Sequence, residues 1–459
     1  MDPKNFTAGS VKFDLPKSDY WQLGNGIQVY YYLNDELPVM QGQMYFRGGS
    51  LQDDSKIAGL ASAVGSQMRA GSVVGISPAE LDQKLTDLAA NIESSFSDEF
   101  GSVSFFSLTE DFEEVFSIFS KVVKTPAFDS KRLELWKTLS KEGISRRRDK
   151  PGLMSYMAFL KLVYGENSPY ADFKTESSIN SIDRPALKAF HGKFVQPHNA
   201  ILALSGSLPV AEAKKIIEKS FGDWSSTTKE PIGEFPEVVD NIKPGLYVLE
   251  RELKQATVYV GHLGPKRHRE DAYATKIFNR VFGHGGFSSV LFREIRSKLG
   301  LAYTVRGGIN PEVDKGTFYV SMGTRAEQAV AAVNALLAII NRVRTELPSD
   351  RDFSAAKSST EKSFVFKFAD PNFIPQRSVI LDLLGYKKDY DVKYLSNISA
   401  VTKEQVLEVA KTHLNPEKLV IVIVGKVSAE DVFKEFGSRM DVYRLSFENE
   451  PKVVEQITN

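Results

Sequence analysis

The chain has 459 residues, with 58 Lys plus Arg set against 58 Asp plus Glu, six His and no Cys. That length exceeds one ordinary core, so two or more domains are expected, and the even charge balance leaves no net field to draw the chain toward nucleic acid or an anionic membrane. No apolar run reaches the roughly 18 residues of a membrane-spanning helix, and the absence of Cys excludes disulfides, thiolate metal sites and a Cys nucleophile.

In chain order, Met1-Asp2-Pro3-Lys4-Asn5 has no apolar signal core. A chain without thiols nevertheless suits an oxidising space such as the periplasm. A periplasmic location is therefore expected, with the cytoplasm as the alternative. Residues 27–32 and 40–46 read as strands. Ile57, Leu60, Ala61, Val64 and Met68 then fall on one helical face, with Asp54 or Ser55 as N-cap and Gly71 as stop. Helices are predicted over 78–88, 112–124, 130–148 and 185–194, and a strand over 102–108. The segment 225–236 is polar, holds Pro231 and Pro236 and shows no period, so it reads as a linker.

Beyond it the pattern starts again. Strands are predicted at 246–249 and 256–262, helices at 271–282, 289–299, 326–345 and 403–412, and strands at 301–305, 316–323 and 419–424. Gly26 and Gly245, Pro197 and Pro416, and Gly206 and Gly425 are each separated by the same 219 positions, in matching local sequence. Such a register points to one unit used twice. The expected fold is α+β, with two homologous domains, each a largely antiparallel sheet with helices packed on one face. The expected boundaries are 1–224 for the first domain, 225–243 for the linker and 244–459 for the second.

Two places carry candidate chemistry. In the helix after Gly59, Ser62 and Ser66 lie one turn apart on the face opposite Leu60 and Val64, with Gly65 between them. A pair at i and i+4 can grip a metal ion, but a neutral Ser is a poor zinc ligand and Gly65 offers no base. Downstream, Ser288 or Ser289 can cap a helix whose buried face is Leu291, Ile295 and Leu299, and Gly300 can end it in a left-handed turn. Arg296 projects from its last turns and Tyr303 from the returning strand. A phenol and a guanidinium at one rim can donate to, and place positive field on, the oxyanion of a tetrahedral intermediate. The bland alternative is an Arg capping helix carbonyls and a half-buried sheet Tyr. No two of the six His are spaced by four, so no His-based zinc site is read. Gly283-His284-Gly285-Gly286 lacks both nucleotide-loop patterns and reads as a flexible or close-packed turn. Lys266-Arg267-His268-Arg269 reads as a solvated edge rather than a nucleic-acid patch.

Taken together, Tyr45 through Ser50, Gly59-Leu60-Ala61, Tyr164-Gly165, Ser168-Pro169-Tyr170, Phe190 through Gly206 and Gly285 through Tyr303 resemble the pitrilysin/insulinase family of zinc peptidases. The resemblance is to its short-subunit branch, which includes mitochondrial processing peptidase and the core subunits of the respiratory bc1 complex. It implies that Ser62 and Ser66 stand where the H-x-x-E-H motif has its His ligands. Gly65 stands in place of the catalytic Glu, and Glu142 lies where the family places its third ligand. Glu93 and Ser94 replace the Asn-Ala of the peptide-receiving strand, so that role is not carried over. The resemblance further implies a metal-free subunit, inactive alone, of a heterodimeric zinc endopeptidase. Arg296 and Tyr303 would be its catalytic residues, a homologous H-x-x-E-H subunit its partner and the holder of zinc, and unfolded or short peptides its substrates. Core-type members of the family also serve as non-catalytic assembly subunits, which is the alternative.

Overall fold

The computed structural model describes residues 13–53, 57–228 and 232–458. Among them are thirteen strands: β1 (Asp19–Gln22), β2 (Gln28–Leu33), β3 (Val39–Arg47), β4 (Asn91–Phe96), β5 (Phe100–Leu108), β6 (Ala200–Gly206), β7 (Gly245–Glu250), β8 (Gln255–Leu263), β9 (Thr304–Asn310), β10 (Thr317–Arg325), β11 (Val420–Gly425), β12 (Val442–Phe447) and β13 (Pro451–Ile457). They form two sheets, ordered β1-β2-β6-β3-β5-β4 and β13-β12-β7-β11-β8-β10-β9. Most pairs are antiparallel. The parallel exceptions are β2 with β6, and β7 with both β11 and β12. The central strands β6 and β11 are buried along their whole length. That burial is why Ala200–Gly206 and Val420–Gly425 read as unbroken apolar runs rather than alternating ones.

Helices cover one face of each sheet. On the first, Leu60–Ala70, Phe112–Lys124 and Val210–Phe221 share a core with β2, β3, β5 and β6. Phe105, Phe112, Phe116, Phe119 and Phe221 interlock there at ring separations of 5.0–5.9 Å. On the second, Ala272–Asn279, Ala329–Val343, Lys403–His413 and Ala429–Phe436 do the same.

The opposite faces are covered by exchange. Helix Pro151–Tyr164, which precedes the linker, lies on β8 and β11 of the second sheet, with Met154, Met157 and Phe159 packed among Tyr247, Tyr259, Val422 and Val424. Helix Phe373–Leu383 lies on β2 and β6 of the first sheet, with Val379 against Tyr45, Ile201 and Ala203. Polar contacts pin both ends of this exchange. The Tyr30 hydroxyl donates to Asp382, and Arg47 donates to the Leu383 carbonyl at 3.2 Å. Arg267 grips both carboxylate oxygens of Glu99.

Several local expectations change. The helix expected over 130–148 ends at Ser145, turns through Arg146–Asp149, and restarts at Pro151, where the ring fits a first helical turn. The helix with Ser62 starts at Leu60 after Gly59, leaving Ile57 ahead of it; the proposed caps Asp54 and Ser55 lie outside the described residues. Instead the Asp53 carboxylate accepts from the Ala61 N–H at 3.1 Å. The basic run is only half a solvated edge: Lys266 and His268 are exposed, but the two arginines are drawn into the fold. Arg267 is 12% exposed in its pair with Glu99, His268 bonds the Leu384 carbonyl, and Arg269 pairs with Asp271.

Candidate functional site

Helix Leu60–Ala70 packs against the edge strand β4. The contact is so close that a Cβ on Gly65 would lie 2.4 Å from the Phe96 nitrogen and 2.8 Å from Ser95. Ser94, on β4, donates to the Gly65 carbonyl at 2.5 Å and accepts from the Arg69 N–H at 3.0 Å. It thus binds the two backbone groups that an α-helix pairs with each other. The space a general base would need at position 65 is filled by strand backbone.

Ser62 and Ser66 are partly exposed, on the side away from Ala61 and Met68. The Glu142 carboxylate is taken by Arg146, one turn along its helix. These residues do not fit zinc: two hydroxyls, a glycine and a guanidinium-paired carboxylate lack the deprotonated or imidazole donors the ion requires. Among the described residues no group of three or more His, Asp or Glu is placed to hold a metal ion. Five of the six His are hydrogen-bonded within the chain, His198 to the Ser226 hydroxyl at 2.9 Å. His191 bonds the Val123 carbonyl and His268 the Leu384 carbonyl. His413 bonds Asp271, and His262 accepts from the Asn415 N–H.

The Arg296–Tyr303 element is built differently from a regular helix and strand. Ser289 caps it, accepting from the Phe292 N–H at 3.4 Å, and Phe292–Lys298 winds as a π-helix, with Leu299 N–H bonded to Glu294 O. Such wide turns are rare and recur at functional sites. The wider winding changes which residues face inward. Leu291 and Ile295 are buried as expected, but Leu299 is 55% exposed. Gly300 takes a left-handed conformation, φ +63°, as its position predicts. Tyr303 lies just ahead of β9, its N–H bonded to the Gly323 carbonyl at 3.0 Å.

Both side chains are exposed. The Arg296 guanidinium sits 4.5 Å from the centre of the Phe292 ring, a cation–π contact, and Phe292 meets Phe287 edge to face at 4.6 Å. Among the described residues Arg296 makes no ion pair. The Tyr303 ring lies over Gly323, where a Cβ would come within 2.8 Å of its Cε1. Thr324 ties the approach to this strand by donating to the Leu301 carbonyl at 2.5 Å. Phe292, Gly323 and Thr324 escaped the sequence reading; only the four-residue spacing of Phe292 and Arg296 could have suggested the first. The glycine turn is close-packed only at its start: a Cβ on Gly283 would lie 2.2 Å from the Gly307 carbonyl oxygen, whereas one on Gly286 would meet nothing within 4 Å, and Asn279 bonds both the N–H and C=O of Ile309 at 2.8 Å.

The two sites therefore share a design. In each half a helix glycine abuts an edge strand, Gly65 on β4 and Gly283 on β9. In the first half the place of the chemistry is closed. In the second a cation and a phenol stand open.

Residues 181–360 match the family model described as the Peptidase M16 inactive domain. An uncharacterized zinc protease of Rickettsia bellii is 27% identical over 225 residues, 47% of this chain and 52% of that protein. One of Mycobacterium leprae is 25% identical over 316 residues, 67% of this chain and 69% of that protein. The chain thus spans about half the length of the first of these relatives and about two thirds of the second. Among solved structures, a peptidase M16 inactive domain from Pseudomonas fluorescens superposes with a TM-score of 0.81 at 24% identity, over 89% of this chain and all but 2% of that one. A protease from Helicobacter pylori gives 0.78 at 17% identity, over 89% and 100%. The fold is that of M16 inactive-domain peptidases, and these matches support the pitrilysin/insulinase family for the chain.

Proposed function

We propose that this chain is the metal-free complementary subunit of a two-chain zinc endopeptidase, inactive alone, acting on unfolded or short peptides. Its homologous partner would carry H-x-x-E-H and hold the zinc. The observation that carries the reading is the contrast between the halves: Gly65 is sealed against β4, whereas Tyr303 is 52% exposed and Arg296 is exposed over Phe292 with no ion pair among the described residues. An exposed Arg and Tyr on a π-helix-to-strand turn suit a surface completed by another molecule.

In that assembly the Tyr303 hydroxyl donates to the oxygen that gains charge when a peptide carbonyl becomes tetrahedral, and Arg296 supplies positive field and holds the peptide. Phe292 supports the guanidinium from below, and Gly323 leaves room for the phenol ring to lie flat on β10. The M16 inactive-domain match includes both residues, which supports placing the role there.

The test is reconstitution. Mixing the chain with an H-x-x-E-H homologue from the same source should create peptidase activity that neither has alone. If the pair assembles without activity, the chain is an assembly subunit.

A further inference from the structure

At the junction of the two halves lies a cavity of about 460 Å³, bordered by neither the Ser62 helix nor the Arg296–Tyr303 element. One wall is a row of three phenol rings. Tyr259 stands between Tyr156, at 5.8 Å, and Tyr319, at 6.0 Å. Tyr156 belongs to the exchanged helix Pro151–Tyr164, whereas Tyr259 and Tyr319 belong to β8 and β10, so the row exists only because the halves are interlocked. Asp98, Asp172 and Glu312 also line the cavity.

Glu312 and Asp98 are held mainly by neutral donors, Glu312 accepting from the Asn310 amide at 2.9 Å. Arg267 approaches Glu312 at 3.7 Å, but its guanidinium is already engaged by both oxygens of Glu99. Asp98 accepts a neutral hydroxyl hydrogen bond from Ser50 at 2.6 Å. Burial, and then the neighbouring Glu99, push the Glu312 carboxyl up. Burial pushes the Tyr156 hydroxyl up as well, with Asp98 and Glu312 adding to it, so both carboxylates act on the same ring.

Aromatic faces attract a cation through their quadrupole, and the Glu312 and Asp98 carboxylates at the cavity attract the same charge. An anion would be repelled, and a neutral apolar ligand would strip water from the carboxylates without replacing it. A bare metal ion lacks a donor set, since no group of three or more His, Asp or Glu among the described residues is placed to bind one.

We propose that this cavity binds an organic monocation, a guanidinium or alkylammonium group, stacked on Tyr156 and Tyr259 with its charge met by Glu312 and Asp98. Such a group is carried by free small molecules and by basic side chains of peptides. The site lies within one chain, so it stands apart from the partner-subunit reading.

The experiment is calorimetric titration of the full chain with N-acetyl-arginine amide and with tetramethylammonium, against the neutral isostere N-acetyl-citrulline amide. Saturable binding of a cation is expected, at least tenfold weaker for the citrulline compound. Glu312→Gln and Tyr156→Leu should each weaken it at least tenfold with circular dichroism unchanged, and Asp98→Asn serves if either variant misfolds. A peptide with one internal Arg that binds at least tenfold tighter than the free amide identifies the source as a side chain; equal or weaker binding identifies a small molecule. No saturable binding of either cation, equal binding of the citrulline compound, or unchanged affinity in folded variants overturns the proposal.

Discussion

The Ser94 hydroxyl donates to the Gly65 carbonyl at 2.5 Å and accepts from the N–H of Arg69 at 3.0 Å, stitching the edge strand into the helix that would bear a zinc motif. Restoring ligands on that helix should therefore fail for steric reasons. Gly65→Ala alone drives a Cβ to 2.4 Å from strand backbone, and overpacking of this kind costs about 1–3 kcal/mol. Denaturant unfolding should show that loss. The triple variant Ser62→His, Gly65→Glu, Ser66→His should be destabilised further and show no peptidase activity by itself.

Tyr303→Phe removes one hydroxyl from an exposed ring and leaves the Tyr303 N–H bond to Gly323 in place. In the reconstituted pair, kcat should fall about 10²–10³-fold, the usual loss for one oxyanion donor. Sedimentation should show assembly unchanged. Full turnover by the variant would remove Tyr303 from the chemistry.

Gly323 tests the same role without touching the phenol. A Cβ there would sit 2.8 Å from Tyr303 Cε1, so Gly323→Ala should lift the ring off β10. Displacements near 1 Å cost up to about 10²-fold in rate. The drop should appear in kcat more than in KM, with the far-ultraviolet spectrum unaltered.

Asp53 gives a pH signature. Burial, opposed by the backbone N–H of Ala61 and aided by Asp172, raises its carboxyl to about 7, against about 3.9 for a free Asp. The folded state therefore holds the proton more tightly than the unfolded chain. The stabilisation is full below about pH 4 and is lost as pH rises toward 7. Asp53→Asn, which keeps an acceptor for the Ala61 N–H, should lack this trend. Its Tm relative to wild type should climb between pH 4 and pH 8.

Phe159 is 1% exposed within the exchanged helix. Phe159→Ala should cost about 3–5 kcal/mol and lower the melting transition of the second half, although the residue belongs to the first. A scan in which only first-half signals shift would contradict the coupling.

The repeat, most helices of both cores and the left-handed Gly300 were legible because each rests on local pattern: a constant register, an apolar stripe, a residue without Cβ; the core helices Val210–Phe221 and Ala429–Phe436 were not read. The exchanged helices were not. Pro151–Tyr164 buries Met154, Ser155, Met157, Ala158, Phe159, Leu160 and Val163 all round, so no single face stands out, and Phe373–Leu383 carries Pro375 in its first turn. The role of Arg267 was hidden because Glu99 is 168 residues away in the chain. Asp53 as a helix partner was missed for a similar reason, since it reaches over eight residues to Ala61. At the candidate site, Arg296 and Tyr303 were visible as residues. Their setting of π-helical winding, the Phe292 platform and the Gly323 bed depends on backbone geometry that spacing alone does not encode.

The reciprocal loan of helices constrains how the chain matures. As it leaves the ribosome, the first sheet stays bare on one side until residue 383 has been made, some 177 residues after β6 ends. Neither half can finish on its own, so a nick in the connecting segment should leave the pieces clasped, and either half expressed alone should be sticky and prone to aggregate.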